Sequence, residues 1–156
     1  MPYSGRAGSP NGDEKLMEIA VGDAGLSEFV VKKEDTALLQ GSGELPVFST
    51  PRMIALMESA AVDALRGRLA PGETSVGIGV DVRHLAASPV GVSVRAVARV
   101  VEVKARRITF EVEARDGVDI IGRGRHDRYV VEAKPFLEKT LRKGVARRSL
   151  TTDGLT

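Results

Sequence analysis

The chain has 156 residues, enough for one domain with a core of its own. It has no Cys and only two His, which excludes disulfides, thiolate metal sites and a cysteine nucleophile and argues against a His-rich metal centre. A net charge of +2 with 4% aromatic residues lacks the basic stripe and stacking platforms of a nucleic-acid binder, and no run approaches the roughly 18 apolar residues of a membrane span.

Residues 1–13 (MPYSGRAGSPNGD) are rich in Gly, Pro and Ser and read as part of a flexible leader. The N-terminus carries no basic-then-apolar signal pattern, so a cytoplasmic protein is expected. The stretch 16–25 is ambiguous, Phe29-Val30-Val31 suggests a short strand, and 34–39 a helical turn. The loop GSGELP at 41–46 then leads into the longest helical pattern. It reads first as an ordinary connector, with a lid as the second reading.

That pattern spans 47–65, with Thr50 as the expected N-cap, Pro51 at the first helical position and Arg66-Gly67 at the stop. At about 100° per residue, Met53, Met57, Ala60 and Ala64 form the centre of an apolar arc. Glu58 falls at the rim of that arc, on the strip shared by Thr50, Ile54, Ala61 and Leu65. A carboxylate there must be paired, hydrated in a cleft or neutralised, because burying it alone is prohibitively costly. Spacing alone leaves two readings open: a boundary residue reaching water, or a group placed for chemistry.

Past the turn at Ala70-Pro71-Gly72 the pattern becomes strand. Residues 75–85 alternate, with Val76, Ile78, Val80 and Val82 on one face and Gly77, Gly79, Asp81 and Arg83 on the other. His84 keeps the parity of the valines and so points at the apolar face. Further strands are expected over 92–104, 108–115 and 118–131, the last two joined by the hairpin signal Asp116-Gly117. Gly122 and Gly124 inside the last strand suggest a bend, a bulge or a close approach. The folded domain is thus expected over 28–137, between a leader at 1–27 and a polar tail at 138–156.

One long apolar helix followed by four long strands, with a short strand ahead of it, fits an α+β layout. A curved antiparallel sheet of about five strands wraps the helix, as in the hotdog fold. The exposed edges of such a sheet favour dimerisation.

Thr50, Glu58 and His84 are the candidates for chemistry. A lone His on an apolar strand face is more often a satisfied core residue, but this face also receives the helix that carries Glu58. A Glu and a His converging on one cleft, with a hydroxyl nearby, can perform general acid–base hydrolysis, the strand residue coming from the same chain or from a partner subunit.

Three segments, VFSTPRMIALMESA, GIGVDVRHLAASPVG and DGVDIIGRGRHDR, occur together and in this order. Through them the chain resembles the hotdog-fold thioesterases of the fluoroacetyl-CoA thioesterase-like branch, over about residues 29–136. The resemblance implies that Thr50, Glu58 and His84 match the family's catalytic Thr, Glu and His. It implies that Gly77 and Arg128 match positions contacting substrate. It further implies a CoA thioester as substrate, no metal or cofactor, and a homodimer with active sites at the subunit interface. A larger assembly stays open.

In those roles Glu58 activates a water or attacks the carbonyl directly, and His84 donates to the oxyanion or shuttles the proton. Thr50 orients Glu58 or the acyl group, and Gly77 lets substrate lie close to the strand. Arg128 is placed to pair with a carboxylate or a CoA phosphate. The family puts no chemistry at His126, which reads as structural or exposed.

One departure bears on specificity. The loop before the helix is GSGELPVF, with Glu44 where the fluoroacetyl-CoA specialist is expected to carry an aromatic lid. The expectation is a hydrolase of short- or medium-chain acyl-CoA, giving free acid and CoA without strict fluoroacetyl specificity. The alternatives are a non-catalytic acyl-CoA-binding hotdog dimer and a hotdog enoyl-thioester hydratase. The hydratase would want an Asp/His motif after the central helix, which the sequence lacks.

Overall fold

The computed structural model describes residues 17–145. In chain order the elements are β1 (Ala24–Val30), a single 3-10 turn (Lys33–Asp35), α1 (Ala37–Gln40) and α2 (Thr50–Ala64). Then come β2 (Glu73–His84), β3 (Ser93–Lys104), β4 (Arg107–Arg115), β5 (Ile120–Glu132) and α3 (Ala133–Val145). The strands form one antiparallel sheet in the order β1-β3-β4-β5-β2, so β1 and β2 lie at its edges. This is the hotdog arrangement: a curled sheet with one long helix against its inner face.

The inner face is built by alternation. Val94, Ala96, Ala98 and Val100 of β3 and Ile108, Phe110, Val112 and Ala114 of β4 are buried. They pack against Met53, Met57, Ala60 and Ala64 of α2, the centre of the arc read from the helical spacing, and against Leu56 and Ala61 beside them. Small residues let the helix sit close to the sheet. A Cβ on Gly25 would run into the Ala60 carbonyl and the Ala64 amide of α2, so only Gly fits at that crossing. The Asp116-Gly117 hairpin forms as expected, with the Asp116 carboxylate accepting from the amides of Val118 and Asp119.

Four local differences from the sequence reading have physical causes. Ser49, not Thr50, is the N-cap of α2: its hydroxyl accepts from the Arg52 amide at 3.0 Å. Thr50 is thereby the first helical residue, and its own hydroxyl is released for another partner. Secondly, β2 carries an irregularity between Gly77 and Gly79. A bulge inserts one residue and reverses the parity of everything before it. Ser75 and Gly77 therefore share the inner face with Val80, Val82 and His84, whereas unbroken alternation puts Gly77 outside.

Thirdly, the sheet begins at Ala24, upstream of the expected boundary at 28, because Gly25 lets the chain slip beneath α2. Finally, the residues expected as a tail from 138 continue α3 as far as Val145. Lys, Glu, Arg and Leu are good helix formers, and Pro135 sits in the first turn, where its missing N–H is tolerated. The remaining parts of the expected leader (1–16) and tail (146–156) lie outside the described residues.

Candidate active site

The first group of side chains stands at the start of α2. The chain entering the helix is pinned on two sides: the Phe48 amide donates to the Ser88 carbonyl at 2.9 Å, and the Ser49 amide to the Asp35 carbonyl at 3.0 Å. With Ser49 serving as cap, Thr50 Oγ1 turns toward the end of β2 and lies 2.8 Å from His84 Nδ1. The imidazole stands edge-on to the Phe48 ring, with centroids 6.4 Å apart. Burial pushes its pKa below the ordinary 6.5, against an opposing hydrogen bond to the Ala86 backbone. His84 Nε2 is buried and has no hydrogen-bond partner among the described residues. A cavity of about 390 Å³ adjoins the pair, lined in part by Ala37, Phe48, Thr50, His84 and Ala86.

The second group is gathered around Glu58, two turns further along α2. Glu58 Oε2 accepts from Arg128 Nη1 at 3.2 Å and lies 3.8 Å from His126 Nε2. The three side chains differ sharply in exposure: 39% for Glu58, 7% for Arg128 and 1% for His126. The carboxylate thus faces outward from a buried base. Arg128 is gripped on its other edge by Ser75, through Nε to the hydroxyl at 2.8 Å and Nη2 to the carbonyl at 3.1 Å. Burial draws its pKa below the ordinary arginine value, and the neighbouring Glu58 carboxylate opposes that shift. A cavity of about 420 Å³ opens here, lined by Ala55, Glu58, Ser59, Val62, Arg66 and Arg128.

The bulge in β2 brings Gly77 into this group. A Cβ on Gly77 would lie 2.5 Å from Glu58 Oε2 and 3.3 Å from His126 Cε1. The space over Gly77 is therefore filled by the Glu58 carboxylate.

Among the expected site residues, then, Thr50 meets His84, and Glu58 meets Gly77 and Arg128. No hydrogen bond or ion pair links Glu58 to His84 among the described residues. Thr50 and Glu58 stand eight residues apart on one helix, about 12 Å along its axis. Within one chain they form two separate groups along α2.

Arg128 pairs with a carboxylate, but that carboxylate is the protein's own. His126, expected as structural or exposed, is buried beside Glu58. Its signal in the sequence was parity: His126 and Arg128 are two apart on one strand and share a face with Gly122 and Gly124. Among the described residues no group of three or more His, Cys, Asp or Glu side chains is arranged to hold a metal ion.

Comparison with known proteins gives a consistent picture. The family model for fluoroacetyl-CoA-specific thioesterase matches residues 31–134. The chain is 40% identical over 129 residues to the fluoroacetyl-CoA thioesterase of Streptantibioticus cattleyicolor, covering 79% of this chain and 93% of that protein. A solved structure of fluoroacetyl-CoA thioesterase superposes with a TM-score of 0.75 at 38% identity, covering 80% of this chain and 97% of the other. A thioesterase superfamily member from Thermus thermophilus superposes with a TM-score of 0.74 at 32% identity, covering 83% and 95%.

Proposed function

Because this chain belongs to the fluoroacetyl-CoA-specific thioesterase family and is a thioester hydrolase, we propose that it hydrolyses short- or medium-chain acyl-CoA in the cytoplasm. The observation that carries the reading is the Glu58 carboxylate. It is held by Arg128 at 3.2 Å yet remains 39% exposed at the mouth of a cavity. Held in one place and open on one side, it is suited to activate a water or to attack a thioester carbonyl. Either the activated water adds to the carbonyl, or Glu58 adds and water then hydrolyses the transient anhydride. In both the C–S bond breaks, the thiolate takes up a proton, and the products are the free acid and the CoA thiol.

The active site on this reading is shared between two copies. Thr50 and His84 of one protomer face Glu58, Gly77 and Arg128 of its partner, and together they act on one carbonyl. The separation of about 12 Å along α2 within one chain supports this, since each half lacks what the other supplies. So does the position of β2 at the sheet edge, where Ile78 and Val80 are 46% and 43% exposed. His84, neutral because burial lowers its pKa, presents Nε2 to the oxyanion or to the departing thiolate. The reaction so written needs no metal and no cofactor.

The acyl preference follows from the loop before α2. Gly41, Ser42 and Gly43 supply no bulky cover, and Leu45 is 65% exposed. Such a loop does not make the dry, tight lid that selection of a two-carbon fluorinated group would require. A broader acyl range fits it better.

The test is thiol release from a panel of acyl-CoAs, fluoroacetyl-CoA included, with wild type and Glu58→Ala. Glu58→Ala is expected to lose on the order of 100-fold or more in kcat while staying folded. Normal hydrolysis by that variant would remove Glu58 from the mechanism. A wild type that turned over fluoroacetyl-CoA alone would overturn the proposed breadth.

A further inference from the structure

His126 is a buried titratable group to which the proposed mechanism gives no task, and its hydrogen bonds define its state. Nδ1 lies 2.8 Å from the Gly79 carbonyl, which can only accept, so Nδ1 carries a hydrogen. Nε2 lies 3.1 Å from Arg128 Nη1, which can only donate, so Nε2 carries a lone pair. Both contacts are met by the neutral Nδ1–H tautomer and by no other form. The Phe110 ring, stacked on the imidazole at 25° with centroids 6.3 Å apart, holds the ring plane.

We propose that His126 is a positioning residue for Glu58: anchored on the Gly79 carbonyl, it accepts from Arg128 and so aims the guanidinium at the carboxylate. This deepens the assignment of Glu58 as the catalytic carboxylate and rests on it. Ser75 grips the Nε and Nη2 edge of Arg128, and His126 takes one of the two Nη1 hydrogens. The remaining Nη1 hydrogen has one direction left, toward Glu58 Oε2.

The anchor is the β2 bulge, since Gly79 is the residue at which the strand resumes its pairing. The order of support is therefore Gly79 carbonyl, His126, Arg128, Glu58. Protonation of His126 would set two donors and two cations against each other at 3.1 Å. Burial, which holds the His126 pKa below 6.5, and the Arg128 charge keep the lone pair in place against the opposing pull of the Gly79 hydrogen bond, Glu58 and Asp127.

The test uses the full chain, with kcat and KM on its best acyl-CoA substrate, for His126→Leu, His126→Gln, Arg128→Lys, the Leu/Lys double variant and Glu58→Ala. His126→Leu is expected to lower kcat on the order of 10- to 100-fold with KM nearly unchanged, the signature of a misplaced catalytic group. His126→Gln, whose amide oxygen can accept from Nη1, is expected to recover most of that loss. In the Arg128→Lys background the Leu substitution is expected to add little, because both act through one contact.

Wild-type kcat in His126→Leu would overturn the proposal. So would a loss that Gln does not rescue and that adds in full to Arg128→Lys, the behaviour of a merely structural residue. If His126→Leu does not fold, His126→Asn replaces it, since Asn reaches the Gly79 carbonyl but not Arg128. An active Gln variant beside an impaired Asn variant supports the proposal, and equal activities overturn it. Glu58→Ala separates the two levels. Loss there with intact His126→Leu removes only the role of His126, whereas full activity in Glu58→Ala removes the underlying assignment.

Discussion

The Glu58 carboxylate occupies the space that a side chain at Gly77 would need, with Oε2 2.5 Å from where a Cβ would stand. Gly77→Ala must therefore displace the carboxylate from Arg128. The displaced atom is the tip of a flexible side chain, so the cost to folding is small. The variant is expected to keep a melting temperature within a few degrees of wild type. Its kcat is expected to fall on the order of tenfold or more. A circular-dichroism melt beside steady-state kinetics checks both, and an unimpaired kcat would mean that the placement of the carboxylate is unimportant.

Adjacent hydroxyls at the start of α2 have different tasks. Ser49→Ala removes the cap and is expected to cost about 1 kcal/mol in urea unfolding. Thr50→Val removes the partner of His84 Nδ1 and is expected to leave stability nearly unchanged while lowering kcat on the order of tenfold. The reverse pattern would show that Thr50 serves only the helix.

Stability is expected to fall on mild acidification. Burial lowers the pKa of both His84 and His126 below 6.5 in the folded chain. Between the folded values and 6.5 the unfolded chain binds more protons, so stability is full above pH 6.5 and declines as pH drops through that window. Melting temperatures at pH 7.5 and pH 5 are expected to differ in that direction, with a smaller difference in His126→Gln. The Asp116 carboxyl, held below 3.8 chiefly by the Asp119 backbone, titrates below this range. A higher melting temperature at pH 5 would contradict the assignment of both imidazoles as neutral.

Gly25→Ala tests the close crossing of β1 under α2. The added Cβ meets backbone atoms of Ala60 and Ala64, which cannot swing aside, so a loss of about 2 kcal/mol or more is expected in urea unfolding. A neutral substitution would mean that the helix can lift off β1 freely.

Much of this architecture was legible in the sequence. The 3.6-residue spacing of Met53, Met57, Ala60 and Ala64 gave the buried arc of α2, and the same wheel put Glu58 at its rim. Alternation gave β3 to β5, and Asp116-Gly117 gave the turn between β4 and β5. The bulge was not legible, because Val76, Ile78, Val80 and Val82 alternate straight through it. Parity carried along that run placed Gly77 on the wrong face. Nor could composition separate Ser49 from Thr50 as the cap, since either hydroxyl can accept from the first turn. Parity put His126 on the face of Gly122 and Gly124, but its stacking on Phe110 is a contact between strands that local pattern does not contain. The distance from Glu58 to Thr50 followed from helix arithmetic.

The most direct measurement is complementation in a mixed dimer. Glu58→Ala and His84→Ala chains carrying different affinity tags are co-expressed, and the species bearing both tags is isolated. If Glu58 of one copy works with His84 of the other, the mixed dimer has one site with both defects and one intact site. It should then recover about half the wild-type rate per dimer, while each parent variant stays inactive. A mixed dimer as inactive as its parents would contradict the shared site.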